Sequence, residues 1–146
     1  AAMQSIHCTS DATFVPVRIG EERAANESYS WRKLINAGVI VCNGTDSPVE
    51  DVDPIKCFYA AVTRKLADGT TFYPDQKMSR MEALKSYTIN GAYASFEEDK
   101  KGSLKPGKLA DIVVLSKNIL KCNEDEIPSA KVLMTIVGGK VLYEAK

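Results

Sequence analysis

The chain has one histidine, His7, in 146 residues. A hydrolytic zinc centre takes three or more His, Cys or carboxylate ligands, so counting excludes a self-sufficient histidine-based metal site. The four cysteines (Cys8, Cys42, Cys57, Cys122) form no CxxC pair, which removes the zinc knuckle and the dithiol redox motif. Lys plus Arg equals Asp plus Glu at 19 each. Without a clustered excess of positive charge the chain lacks what neutralises phosphate, and no nucleic-acid partner is expected. The longest apolar runs, such as Gly38 to Cys42 and Ile112 to Leu115, fall far short of the roughly 20 residues that span a bilayer, so no membrane partner is expected. There is no repeat and no low-complexity tract. The chain opens Ala1-Ala2-Met3-Gln4 with no initiating methionine at the front, and the expectation is that the true N-terminus lies upstream, together with any signal. A cytoplasmic location is expected, since nothing present argues for an oxidising compartment.

What is present is 45% hydrophobic residues, enough for one domain with a core. It is not enough for a complete eight-stranded β/α barrel, which needs about 250 residues. The first seven residues read as the end of a strand. A helix is predicted over residues 21–37, with Trp31, Leu34 and Ile35 on one face and Gly38 as its C′ residue. Val39-Ile40-Val41-Cys42 then reads as a short strand buried on both faces, the kind found in parallel sheets.

After that strand comes the polar loop Gly44-Thr45-Asp46-Ser47-Pro48-Val49-Glu50. Asp53-Pro54 opens a helix, with Asp as N-cap and Pro at the first helical position. It carries Ile55, Phe58, Tyr59 and Val62 inward and stops before Asp68-Gly69. Ser79 and Glu82 form an S-x-x-E capping box for a helix reaching about Ile89. A further helical piece is predicted over residues 92–96. Beyond Lys100 the character changes to three β-rich runs, residues 111–115, 132–137 and 141–144, the last two joined by a Gly138-Gly139 turn. The predicted organisation is therefore an α/β segment, residues 1–98, followed by a β module, residues 99–146.

Loops that follow buried parallel strands carry the active sites of α/β folds. Asp46 lies in such a loop, where a carboxylate serves as metal ligand or general base. On local pattern alone the favoured reading is a turn-forming Asp whose side chain bonds its own backbone two residues on. Glu50, Asp51 and Asp53 read as solvated loop carboxylates and a helix cap. A nucleophilic pair of His7 and Cys8 is disfavoured, because neighbours on a strand point to opposite faces. Lys105 and Lys108 around Pro106-Gly107 read as an exposed turn, and Tyr87, Tyr93 and Phe96 as core packing.

Four stretches together carry a resemblance: Gly44 to Glu50, Ser79 to Asn90, Phe96-Glu97-Glu98-Asp99, and above all Gly102-Ser103-Leu104-Lys105-Pro106-Gly107-Lys108-Leu109-Ala110-Asp111-Ile112-Val113-Val114-Leu115. They resemble the C-terminal part of the amidohydrolase superfamily. The nearest branch is amidohydrolase family 3, which holds N-substituted formamide deformylase-like enzymes and proteins labelled exoenzyme regulatory protein AepA. The resemblance runs from Gln4 to Glu144.

It implies an α/β fold class: the C-terminal part of a β/α (TIM-type) barrel followed by a small β-sandwich module, incomplete in this chain. It also implies a metal-dependent hydrolase of carbon–nitrogen bonds other than peptide bonds, acting on a small amide-type substrate. Asp46 matches the carboxylate after strand eight, implied to touch the metal and to move a proton. His7 matches the His of a Q-P-x-H stretch, with Ser5 where Pro is usual, and is implied to lie on the substrate side. The divalent metal, by resemblance zinc, belongs to the complete protein, and this chain is not expected to hold it tightly. The H-x-H pair and the later histidines of the family have no counterpart here. The chain is therefore expected to be inactive alone, and to associate with another copy or with the missing N-terminal part. A non-catalytic regulatory protein that keeps the fold is the alternative.

Overall fold

The computed structural model describes all 146 residues, Ala1–Lys146. It is a mixed α/β structure with two small sheets. The first is a parallel pair, β1 (Ala2–Met3) and β2 (Cys42–Asn43), in register Ala2 with Cys42 and Met3 with Asn43. Parallel neighbours need a crossover. Here it is made of α1 (His7–Ser10), α2 (Val15–Ile19), α3 (Glu21–Glu27) and α4 (Trp31–Asn36). After β2 come α5 (Pro54–Thr63), α6 (Arg80–Ser86) and α7 (Ile89–Ala94). The second sheet is antiparallel, in the order β3 (Ile112–Leu115), β4 (Val132–Val137), β5 (Lys140–Glu144). No helix is long and apolar enough to cross a membrane.

Two helix starts form as their sequences dictate. Asp53 Oδ1 accepts the Ile55 backbone N–H at 2.9 Å, and Pro54 has no N–H to leave orphaned at the first position. Ser79 and Glu82 form both halves of the capping box. Gly138 and Gly139 both take positive φ, 55° and 79°, as a two-residue hairpin whose twist matches its strands requires.

Elsewhere the structure corrects the sequence reading. His7 opens a helical turn, not the end of a strand. The helix predicted over residues 21–37 is broken at Ser28–Ser30, where Tyr29 is left-handed with φ 49°. The break turns the Tyr29 carbonyl onto Arg64 Nη1 at 3.0 Å, while the Tyr29 hydroxyl donates to Asp11. Tertiary partners here outweigh helix continuity. The strand predicted over residues 39–42 is reduced to a short pair at Cys42–Asn43, with a neighbour on one edge alone, and Val39 and Ile40, which precede it, are exposed because no layer covers them. The last helical piece is Ile89–Ala94, so Asn90-Gly91 lies inside it; Phe96 turns outward, 92% exposed, and Tyr93 is also exposed. Of the three aromatics read as core, only Tyr87 packs on it.

The core gathers on α5. Ile55, Phe58, Ala61 and Val62 meet Cys8, Trp31, Val41, Phe72 and Met78, and Ile119 and Ile127 from the chain before β4 join them. At its centre Arg64, fully buried, stacks its guanidinium 4.4 Å from the Trp31 ring centroid and 5.5 Å from that of Phe72. It faces carbonyls: Nε donates to Phe72 O at 2.5 Å. This core holds β1, β2 and α5 together, and so fixes the loops that leave the carboxyl ends of the two parallel strands.

Candidate functional site

Those two loops meet. His7 follows β1 and Asp46 follows β2, and His7 Nε2 lies 3.1 Å from Asp46 Oδ2. On the other side of the ring, His7 Nδ1 lies 3.4 Å from Glu50 Oε1. The imidazole therefore stands between two carboxylates. Glu50 is held in turn by Ser10, whose hydroxyl donates to its Oε1 at 2.6 Å. Asp46 is the most open of the three, with a side chain 44% exposed against 20% for His7 and 21% for Glu50.

The local backbone explains how four residues of loop return to the helix. Asp46 takes a left-handed conformation with φ 61°, a region Asp tolerates better than most residues. Its main-chain carbonyl then accepts Val49 N at 2.8 Å and Glu50 N at 3.3 Å. The turn is closed by the backbone, which leaves the Asp46 side chain on His7 and not folded onto its own chain. The Ser47-Pro48 bond within this turn is cis.

Glu50 is the residue that sequence reasoning misassigned. It is not a solvated loop carboxylate but a shielded one against the imidazole. The signal was the i, i+4 spacing from Asp46 across a Ser-Pro turn, but nothing local shows that the turn faces α1. Its neighbours keep more ordinary roles: Asp51 pairs with Lys56, and Asp53 caps α5. Cys8, next to His7 in sequence, is fully buried with its sulfur toward the Ala60 carbonyl. Burial pushes its thiol up to about 12, which keeps it protonated and removes it as a nucleophile.

As a metal site the residues present fall short. Asp46 offers one carboxylate, and its Oδ1 makes no hydrogen bond within the chain. No group of three or more His, Cys, Asp or Glu side chains is placed to hold a metal ion. The chain fits a divalent metal as the contributor of one ligand and is not a metal centre by itself.

The largest cavity lies elsewhere. It is an open groove of about 1230 Å³ between α6–α7 and the edge of β3, lined by Leu84, Ile89, Ile112, Leu115 and Leu120 among others, and it includes neither His7 nor Asp46. Lys105 and Lys108 stand on its rim. Lys108 donates to the Glu98 carbonyl, so this lysine fastens a turn.

The chain is 40% identical over 144 residues to Protein LONG AFTER FAR-RED 3 of Arabidopsis thaliana, covering 98% of this chain and 24% of that protein. It is 34% identical to N-substituted formamide deformylase of Arthrobacter pascens, covering 86% of this chain and 23% of that enzyme. An uncharacterized metal-dependent hydrolase from Pyrococcus horikoshii superposes with a TM-score of 0.73 at 31% identity, over 85% of this chain and 25% of that one. The chain thus spans about a quarter of the length of these relatives. The model of the amidohydrolase family matches residues 1–143, and the chain belongs to that family.

Proposed function

We propose that this chain is the C-terminal portion of a metal-dependent amidohydrolase that cleaves carbon–nitrogen bonds of small amide-type substrates. The observation that carries the reading is the juxtaposition of His7 and Asp46 at the carboxyl ends of two adjacent parallel strands, within a chain of this family. In the complete protein a divalent metal, zinc by family resemblance, supplies Lewis-acid activation of water. Asp46 gives that metal one ligand. Its open carboxylate accepts the proton of the attacking water and hands it to the leaving amine. His7 lies beside it on the substrate side of the pocket and orients the scissile group.

The same reading makes residues 1–98 the end of a β/α barrel and residues 99–146 the returning part of a β-sandwich. The remaining metal ligands then lie in the part of the protein outside this chain, and the chain alone is inactive. Exposed Val113, Leu133, Val141, Leu142 and Tyr143 on the two sides of the second sheet, with the groove beside β3, are apolar surface for the rest of the protein, or a second copy, to cover. We place the protein in the cytoplasm, where free thiols such as Cys8 and Cys57 stay reduced.

The test uses the complete protein. Metal content and turnover of N-formyl, N-acyl and cyclic amides are measured for the native form and for Asp46→Asn. Loss of at least about a hundredfold in kcat is expected, as for removal of an essential proton-transfer group. Equal activity in the two forms removes Asp46 from the mechanism. A second reading, a regulatory protein that keeps the fold without catalysis, is favoured by the 40% identity to a relative whose name states no reaction. An H-x-H pair and two later histidines upstream decide for the enzyme; their replacement decides for the regulator.

A further inference from the structure

We propose that Tyr87 is a positioning residue of the His7–Asp46 site: through Ser5 its hydroxyl fixes the turn that carries His7, while Ser86 beside it fixes the strand end that leads to Asp46. The catalytic meaning of that placement rests on the hydrolase reading above; the geometry does not.

β1 and β2 pair over two residues each, a ladder too short to set by itself how the loops beyond it stand. They are held from α6. Ser5 is fully buried and gives its one hydroxyl proton to the Cys57 carbonyl at 2.7 Å. In the 2.7 Å contact between Ser5 Oγ and the Tyr87 hydroxyl, Tyr87 is therefore the donor. One residue earlier, Ser86 Oγ accepts the Asn43 side-chain amide at 2.9 Å. Asn43 ends β2 three residues before Asp46, and Ser5 lies two residues before His7. Ser86 is the last residue of α6 and Tyr87 its C-cap, so adjacent residues of one helix end hold both approaches to the site.

Tyr87 supplies a hold that α5 alone does not. The side chains of Ser5 and Cys8 rest on α5 at the carbonyls of Cys57 and Ala60. Two contacts along one helix leave the turn free to pivot about the line that joins them. The His7 side chain reaches off that line to Asp46, at 3.1 Å, so a pivot would move it. The backbone passes the motion on, because the Gln4 and Ser5 carbonyls accept His7 N and Cys8 N, each at 3.3 Å. A third hold from a different helix stops the pivot. The Tyr87 ring packs on the core, as a phenylalanine would; the hydroxyl is the part that adds the hold. Geometry of this kind matters to a reacting pair, since small misplacements of positioned groups slow the chemical step.

His7 is the single histidine, so a chain carrying ¹³C in its histidine ring gives one Cε1–H signal, whose relaxation at a fixed pH of 8 reads how firmly the ring is held. The native ring is expected near the rigid value, an order parameter of about 0.85, and Tyr87→Phe is expected to bring it to about 0.6 or below. Ser5→Ala loosens the ring at least as far, and adding Tyr87→Phe to Ser5→Ala changes nothing more, because the bond is already gone. Tyr73→Phe, which removes a hydroxyl bonded to Glu21, leaves the ring at its native value. The indole signal of Trp31, the single tryptophan, reports that each variant keeps the core. In the complete protein Tyr87→Phe is expected to lower kcat about tenfold, with KM and metal content within about twofold of native. The proposal is overturned by a Tyr87→Phe ring as firm as the native one, by equal loosening in Tyr73→Phe, by further loosening when Tyr87→Phe is added to Ser5→Ala, or by an unchanged kcat in an active complete protein. A complete protein without turnover refutes the hydrolase reading alone, and the ring measurement still decides the placement of His7.

Discussion

Replacing Glu82 by Gln tests how α4 is locked to α6. Arg32 reaches across with a two-pronged contact, Nη1 to Oε1 at 2.8 Å and Nη2 to Oε2 at 2.5 Å. Glu82 Oε2 also accepts from the Ser79 backbone N–H and hydroxyl, each at 2.7 Å. The Arg32 guanidinium, followed by these Ser79 donors, holds the carboxyl down from 4.5 to about 2. At about 1.4 kcal/mol for each tenfold change in proton affinity, that depression has a ceiling of about 3 kcal/mol. The Glu82 and Arg32 side chains are 30% and 25% exposed, so solvent screening brings the expected cost of Glu82→Gln down to about 1–2 kcal/mol at pH 7. The sign follows from the depressed value. The contribution is complete above the unfolded value of 4.5 and is lost as pH falls through about 2. Urea unfolding of both forms at pH 7, 5, 3 and 2 measures it. The difference between them should hold from pH 7 to about 5 and shrink toward zero at pH 2. A difference that stays constant across the series refutes the charge-based account and leaves only a geometric role for the side chain.

Two further outcomes follow from burial and crowding. Cys8 and Cys57 are fully buried and Cys42 and Cys122 are partly exposed, so at pH 8 a thiol reagent should label two cysteines in the native chain and four after denaturation, counted by mass spectrometry. Rapid labelling of Cys8 in the folded chain would contradict its place under α5. At Gly102 an added Cβ would stand 2.8 Å from Ala92 Cβ and 2.9 Å from Ile89 Cα, at φ +84°, so Gly102→Ala should lower stability by about 2–4 kcal/mol. Gly107, at φ +89° with open space around it, should lose only about 1–2 kcal/mol on the same change. Equal denaturation midpoints for the two variants would show that α7 yields to the intruding methyl.

The features that the sequence revealed share a physical trait. The Asp53 cap, the Ser79–Glu82 box and the Gly138-Gly139 hairpin each close within a few residues, so their donors, acceptors and torsions are all present in a short window. The features it hid depend on partners far along the chain. The break at Tyr29 serves Arg64, 35 residues on, and Glu50 finds Ser10 across 40 residues. Asp46 was visible as a candidate because it follows a strand; that it meets His7 required β1 and β2 to pair.

Ser5 shows the same division inside the family resemblance. It stands where Pro is usual, and as a departure in a motif it carried no meaning in one dimension. In the fold Ser5 is fully buried, its hydroxyl donating to the Cys57 carbonyl at 2.7 Å and lying 2.7 Å from the Tyr87 hydroxyl. A proline there could do neither, so the substitution ties β1's loop to α5 and α6 through a hydrogen-bonded pair that the proline form must replace by packing. Val39 and Ile40 make the complementary case. Their apolar, β-branched pattern is that of a strand covered on both faces, yet both are exposed. The pattern misreads for this chain because it reports the side-chain types of residues 39–42 and not what covers them: β2 pairs with β1 alone, and Val39 and Ile40 have no second layer over them.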